Sequence, residues 1–291
     1  MLARPAESWL SVTQPCRGAV VDLPYPDVLE TDMHQGFELG VMLDGEEERH
    51  FEGLVMRLVP GDVWLSPAWE AHGRRSVTAN ALEAVVQFLP EFIGDEMFGD
   101  VSCLSLFAVP PAQRPRTANA GMRREVLAVG QELARELQEQ PLAWLEGVRL
   151  AVLRLLLILC RGWNPEDRAG LQRGIRMNRF SRVMPAVRLV QSEPGRGIPL
   201  AEAASACGIS ASHFGALFRH TMGISFGKFC LRARLAHAAH LLLALDLPVE
   251  TIAQQAGFVD GSHLHHIFPK YYGCTPARYR ERGSVALVPH A

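Results

Sequence analysis

No two of the six cysteines, Cys16, Cys103, Cys160, Cys207, Cys230 and Cys274, stand in a Cys-x-x-Cys spacing. That scatter argues against both a zinc ribbon and a disulfide framework, and is the usage expected of a reducing cytoplasm. Long hydrophobic runs are also missing. The greasiest stretch, LAVLRLLLILC from Leu150 to Cys160, is interrupted by Arg154 and is too short to cross a bilayer. The opening residues, MLARPAESWLSVTQP, have no apolar core behind a basic start, so no secretion signal is expected. Net charge is nearly absent, at −2 over 291 residues. That balance is a cancellation: Ile175 to Gly283 holds 13 Lys and Arg against 6 Asp and Glu, and the rest holds 16 against 25. An acidic part joined to a basic part suggests that one end meets a polyanion; a solvated basic face without a partner is the alternative.

What is present fits two globular domains. Apolar residues make up 48% of the chain and charged residues 21%, enough to build cores in both parts. Up to about Val109 the chain reads as short strands: VMLDG, VMRLVPGDVWLSP and ALEAVVQFL, punctuated by Asp44-Gly45, Pro60-Gly61-Asp62 and Pro67. Close-spaced short strands predict a sandwich or small barrel. PPAQRPR, Pro110 to Arg116, breaks the pattern. Val126, Val129, Leu133 and Leu137 then recur at helical steps, and LAWLEGVRLAVLRLLLILCRGW makes a second helix with little polar surface. Such a helix must be covered, either by a domain core or by a partner subunit. NPEDRAGLQRG, Asn164 to Gly174, has linker composition, and short helices separated by glycine follow from Asn178.

An internal repeat about fifty residues apart dominates the C-terminal third. LAEAASACG (Leu200–Gly208) aligns with VETIAQQAG (Val249–Gly257), SHFGALF (Ser212–Phe218) with SHLHHIF (Ser262–Phe268), and MGISFGKF (Met222–Phe229) with YGCTPARY (Tyr272–Tyr279). Pro199 and Pro248 stand where a helix can start. Ala204 and Ala253 allow close helix approach, and Gly208 and Gly257 allow a left-handed turn. Ser210 and Asp260 can cap the next helix. Phe214 and Phe218, like Leu264 and Phe268, lie four apart and share one buried face. This is a helix-turn-helix pattern, and its tandem occurrence points to DNA.

These stretches, with RARLAHAAHLLL and HLHHIFPKYYGCTPARYR, resemble the AraC family of transcription regulators over roughly Asn178 to Arg282. The resemblance implies two units joined by a long helix, about Phe226 to Ala244, with their second helices entering successive major-groove turns. A helix of ~20 residues spans about 30 Å, close to the ~34 Å turn of B-DNA. The family's base-reading positions fall on Ser212, Gly215 and Ala216, and on Gly261, Ser262, His265 and His266. Ala216 stands where the family often has Arg, so the first helix offers little beyond Ser212, close approach and DNA shape. Arg219, Arg232, Arg234, Lys270 and Arg280 are the phosphate candidates, with an internal salt bridge as the alternative for each and a structural role favoured for Arg234. His213 and His263 occupy equivalent repeat positions, which favours packing or capping. Pro269 departs from the family's usual basic residue and predicts a kink or helix end between His265 and Lys270.

Upstream, DMHQGFELGVMLDGEEERHF and LVPGDVWLSPAWEAHG resemble the two signature stretches of a cupin barrel. That resemblance puts Asp32, His34, Glu38 and His72 at the positions of a metal-binding cupin, Asp replacing the first His. The set is adequate for a divalent metal. A small-molecule effector pocket built from the same groups, or a structural role alone, are the other readings. Spaced two and four apart, Asp32, His34 and Glu38 are expected to alternate along one strand. Trp64 and Trp69 are expected to be packing residues.

The expectation is therefore an α+β two-domain protein: a cupin-like barrel (1–110), a helical pair (117–163) and an all-α double helix-turn-helix (176–283). It would be a cytoplasmic, effector-responsive, sequence-specific regulator of transcription, activator rather than repressor. Its partners would be double-stranded DNA, an unidentified small molecule, RNA polymerase and a second copy of itself, with no membrane. No cofactor and no catalytic residue is called for. The rival reading is a metal-dependent cupin enzyme with a helical appendage.

Overall fold

The computed structural model of the protein describes residues 14–23, 29–32, 34, 36–94, 96–99, 101–164, 179–222 and 224–286, with the single positions 10 and 166. The sequence-derived linker from Asn164 to Gly174 falls mostly outside them.

The N-terminal strands form two four-stranded antiparallel sheets. One runs in the order β1 (Cys16–Leu23), β8 (Ala81–Phe88), β3 (Phe37–Asp44), β6 (Val63–Ser66). The other runs β2 (Glu30–Asp32), β7 (His72–Ser76), β4 (Glu47–Phe51), β5 (Leu54–Leu58). A small pair, β9 (Met97–Phe98) and β10 (Val101–Ser102), lies beyond. The expected barrel is thus not closed: each sheet keeps its own edge strands. The turns at Asp44-Gly45 and Pro60-Gly61 carry the chain between sheets without extending either ladder, with Gly61 N–H bonded to the Met42 carbonyl.

Strand β3 lies between two apolar layers, and its alternation sorts them. Phe37, Leu39 and Val41 face the main core, which continues onto the helices. Met42 faces the second sheet, in a smaller core with Leu23, Phe51, Leu58, Trp64 and Ala81. Gly40 lies directly under Trp64, where a Cβ would stand 1.9 Å from the indole. No other residue fits there. Helix α1 (Pro90–Ile93) follows β8.

Helix α2 (Ala120–Glu139) starts on Asn119, whose side chain accepts the Met122 N–H, and ends on a left-handed Gln140. It buries Val126, Val129, Leu133 and Leu137, and Gly130 presses against Val41. Helix α3 (Trp144–Gly162) buries Val148, Val152, Leu155, Leu156 and Leu159 in the same core. Most of its apolar surface is therefore covered from within; Leu145 and Leu150 stay exposed.

The C-terminal region consists of α4 (Arg179–Ser192), α5 (Leu200–Ala206), α6 (Ala211–Met222), α7 (Phe226–Ala244), α8 (Val249–Gln255), α9 (Gly261–Ile267), α10 (Pro269–Tyr272) and α11 (Pro276–Ala286). The α5–α6 and α8–α9 pairs are the two repeat units, and α7 joins them over the expected residues. Pro199 and Pro248 sit at the helix starts. The turn glycines adopt the left-handed region, with φ of +66° at Gly208 and +79° at Gly257. Ser210 and Asp260 cap the second helix of each unit through the His213 and His263 N–H groups. The main apolar core runs continuously from the sheets through α2 and α3 into this region.

Candidate nucleic-acid interface and a buried polar cluster

Helices α6 and α9 each turn one face inward and one outward. Phe214, Leu217 and Phe218 of α6 are buried, and the two phenylalanines pack against Phe226 and Phe229 of α7. Leu264 and Phe268 are buried in the second unit, where Phe268 stacks on Tyr272 at 4.3 Å. The outer faces carry the residues expected to read bases: Ser212, Ala216, Ser262, His265 and His266 are all exposed, while Gly215 is half-buried and Gly261 buried. Gly261 is tied to the first helix of its unit, its N–H bonded to Glu250 at 2.9 Å.

The helix of the second unit breaks where expected. It stops at Ile267, and Pro269 opens a new turn that ends on the left-handed Gly273. Phe268 nevertheless keeps helical angles, φ −55° and ψ −44°, against the usual bias of a residue before proline. Its own N–H is bonded to the Leu264 carbonyl. The Lys270 ammonium donates to His266 Nε2 at 3.1 Å, so the His266 ring proton resides on Nδ1.

The five phosphate candidates separate into two groups. Arg219 and Lys270 are exposed beside the outward faces. The other three are engaged internally. Arg234 donates to the Gly257 carbonyl at 3.0 Å and lies over the Phe258 ring, which holds the second unit's turn. Arg280 donates to the Leu247 carbonyl. Arg232 is only 4% exposed and faces Glu52 of the N-terminal sheets at 3.6 Å. Arg232 is sealed from solvent in this arrangement, whereas Arg234 and Arg280 each commit one N–H inside and stay partly exposed. Lys228, absent from the sequence-derived set, pairs with the same Glu52 at 3.0 Å.

The N-terminal candidates converge on Glu38. His34, Glu38 and His72 are buried, with one ligand atom from each lying within 4.8 Å of the others. His34 Nε2 is 3.0 Å from Glu38 Oε2, and His72 Nε2 is 3.3 Å from Oε1. Trp64 Nε1 and Gln87 Nε2 also donate to this carboxylate, at 2.9 and 3.0 Å. Asp32 does not join them. The expectation that it alternates with His34 and Glu38 along one strand fails, because β2 belongs to the other sheet, where Asp32 pairs with His72 across the ladder. Its charge still acts on His34.

The two imidazoles are held alike. His34 Nδ1 lies 2.9 Å from the Gly36 carbonyl and His72 Nδ1 2.9 Å from the Glu70 carbonyl. A carbonyl only accepts, so each Nδ1 bears the proton and each Nε2 is turned toward the same carboxylate. Burial opposes charge on His34, but Glu38 outweighs it, helped by Asp32, and raises the His34 pKa. Glu38 also resists burial: the two histidines hold its carboxyl well below the usual range.

Several functional neighbours left no local mark in the sequence. Arg114, inside the pattern break PPAQRPR, is buried and makes a two-pronged pair with Glu70 at 2.6 and 2.7 Å; it also reaches the Leu65 and Val109 carbonyls. It thereby fixes the segment whose carbonyl holds His72. Trp64 and Trp69 are fully buried as expected. Trp69 also carries a positive φ of +61°, costly for an aromatic residue, while its N–H is bonded to the His34 carbonyl.

Comparison with known proteins places the C-terminal region first. A helix-turn-helix domain family model matches residues 203–282. The probable transcription factor PqrA of Proteus vulgaris is 30% identical over 95 residues, 33% of this chain and 78% of PqrA. The HTH-type transcriptional activator RhaR of Klebsiella pneumoniae is 23% identical over 290 residues, 98% of this chain and 99% of RhaR. The chain spans about a third of the length of the first curated relatives it matches. Among solved structures, ToxT from Vibrio cholerae O395 shares the fold with a TM-score of 0.60 at 12% identity, over 95% of this chain and 99% of ToxT.

Proposed function

We propose, from the premise that this chain belongs to the AraC family of transcription regulators, that it is a sequence-specific DNA-binding regulator, an activator, controlled by an effector at its N-terminal sheets. The observation that carries the reading is the two-faced build of α6 and α9: apolar anchors inward, and Ser212, Ala216, Ser262, His265 and His266 outward. These five read base edges, while Arg219 and Lys270 fix register through phosphates. With Ala216 in place of a long donor, α6 selects by fit and DNA shape, and α9 supplies the hydrogen bonds. That RhaR is a transcriptional activator supports the sign of regulation.

The regions 1–110, 117–163 and 176–283 act as sensor, helical connector and DNA reader. Exposed Leu145 and Leu150 on α3 support a homodimer. RNA polymerase is the further partner an activator requires. Six free thiols, and the absence of any described helix long and apolar enough to cross a membrane, support work in the cytoplasm. Genome-wide footprinting of the bound protein tests the reading: discrete sites upstream of genes are expected, and uniform weak coverage would refute it.

His34, Glu38 and His72, with Asp32 nearby, are the effector group. The tautomers favour a second, more specific reading, a divalent cation among them. Both Nδ1 protons are committed to carbonyls, so two Nε2 lone pairs face one carboxylate unless each takes a second proton or the three share a cation. Carbonyl-fixed histidines beside a carboxylate are what a borderline metal such as zinc requires. Such an ion would supply charge that organises the cluster; a metal-dependent enzyme would need an open coordination position as well, and the tandem helix-turn-helix has no part in that alternative. Metal analysis after dialysis tests this, with one equivalent of zinc, manganese or iron expected and its loss in His72→Ala.

A further inference from the structure

The turn between β4 and β5 is two residues long, Glu52-Gly53, and projects from the sheet that carries His72. Glu52 is exposed at its tip, yet its carboxylate reaches across to α7, 3.0 Å from Lys228 Nζ and 3.6 Å from Arg232. Lys228 and Arg232 are four residues apart, hence neighbours on one helix face. They stand in the first two turns of α7, where Ser225 caps the helix. Two cations at a helix N-terminus make a site suited to an oxyanion, and here a carboxylate of the sensor occupies it. The Lys228 hydrogen bond and charge draw the Glu52 carboxyl below its ordinary range.

The tip is also joined to the buried cluster. Phe51, next to Glu52, stacks on the His72 ring at 6.2 Å, and the Arg114 guanidinium lies over the Phe51 ring at 5.4 Å. Beside this contact, Trp69, bonded to the His34 carbonyl, sets its ring against Phe229 of α7 at 6.4 Å. His34 is thus one residue removed from α7, through Trp69, and His72 two, through Phe51 and Glu52. That helix joins the two DNA-reading units.

We infer that Glu52 is an electrostatic latch: it occupies Lys228 and Arg232 in place of DNA phosphate and holds α7 against the sensor, in an arrangement that weakens DNA binding. Opening the latch frees two cations for the DNA backbone and releases α7. An effector that shifts His72 acts on the latch through Phe51. The inference rests on the proposed DNA-binding function.

The test measures binding of the full-length protein to a mixed-sequence 30-base-pair duplex over a series of salt concentrations. Non-specific DNA suffices, because phosphate contacts carry its affinity and set the slope of log K against log salt. Glu52→Gln is expected to bind several-fold to tenfold more tightly at ~0.1 M salt, with a slope steeper by about 1–2, roughly 0.9 per phosphate gained. Lys228→Gln is expected to change little alone but to remove part of the gain in the Glu52→Gln background. Equal affinity and slope for wild type and Glu52→Gln would overturn the latch. Lys228→Gln weakening wild-type binding as much as it weakens Glu52→Gln would overturn it too, since Lys228 would already be on the DNA. If neither the wild-type protein nor Glu52→Gln shows salt-dependent binding, it is the DNA-binding reading that falls.

Discussion

The sheets bury a whole set of charges, whereas the helical region leaves nearly all of its described charges at least partly exposed. Glu38, Glu47, Arg49, Glu70, Glu83 and Arg114, with His34 and His72, are sealed inside the N-terminal part. Among the described residues of the helical part the only buried charge is Arg232, and its partner is Glu52 of the sheets. The difference teaches how each part works. Buried ions persist only when each is paired and hydrogen-bonded, so the sheet interior is a set of mutually fixed groups that respond together when one is disturbed. An apolar helical core carries no such demand, and leaves Arg219 and Lys270 free to meet a polyanion.

The sharpest way to break this contrast is Arg114→Ala. It strands Glu70 without its two-pronged partner, and removing one half of a buried pair costs about 3–5 kcal/mol. Urea unfolding should register that loss, while Arg219→Ala stays within ~0.5 kcal/mol of wild type. Equal effects at the two arginines would erase the distinction. In the helical part the vulnerable point is steric instead. A Cβ on Gly257 would stand 1.9 Å from the Gly195 carbonyl oxygen at a φ of +79°, so Gly257→Ala should cost about 2–4 kcal/mol from overpacking and backbone strain. The equivalent Gly208→Ala meets open space and should cost only ~1 kcal/mol.

Function separates the two parts next. Arg219→Ala combined with Lys270→Ala should leave thermal stability unchanged and weaken binding on every DNA sequence, lowering the salt slope by roughly 2. An unaltered slope would remove both from the phosphate contact. The smallest expected effect is a pH signature confined to the sheets. Burial pushes the Glu47 carboxyl up to about 8; Arg49 opposes the shift and the Glu83 charge adds to it. A carboxyl with a raised folded-state pKa binds its proton more tightly when folded. Its contribution is complete below the unfolded value of 4.5 and fades as pH rises toward about 8. Glu47→Gln should flatten that decline and raise the melting temperature near pH 8 by ~2–4 °C, the shift that ~1 kcal/mol makes in a domain of this size. Melts with the same slope in both proteins would place the proton elsewhere.

The tandem repeat was legible because every signal it needs is local. Proline at the helix start, glycine at the turn, a capping Ser210 or Asp260, and aromatic pairs four residues apart all act within one turn of helix. The interruption at Pro269 was legible for the same reason. The sheets were legible only as strands. That Asp32 lies on β2 and Glu38 on β3, in different sheets, depends on pairings between segments forty residues apart, such as Asp32 with His72. Arg114 read only as part of a break between strands and helices, because nothing within a few residues of it announces Glu70.

The amino-acid order by itself determined the short strands, the paired helix-turn-helix units, and the residue types on the outward faces of α6 and α9, since periodicity and turn chemistry are properties of neighbours along the chain. Only the tertiary structure decided which of five similar cations reach solvent, that the strands make two open sheets, and that three dispersed side chains meet within 4.8 Å. Those outcomes turn on burial and on contacts between distant segments, where the cost of leaving a charge unpaired, and not its chemical type, selects the partner.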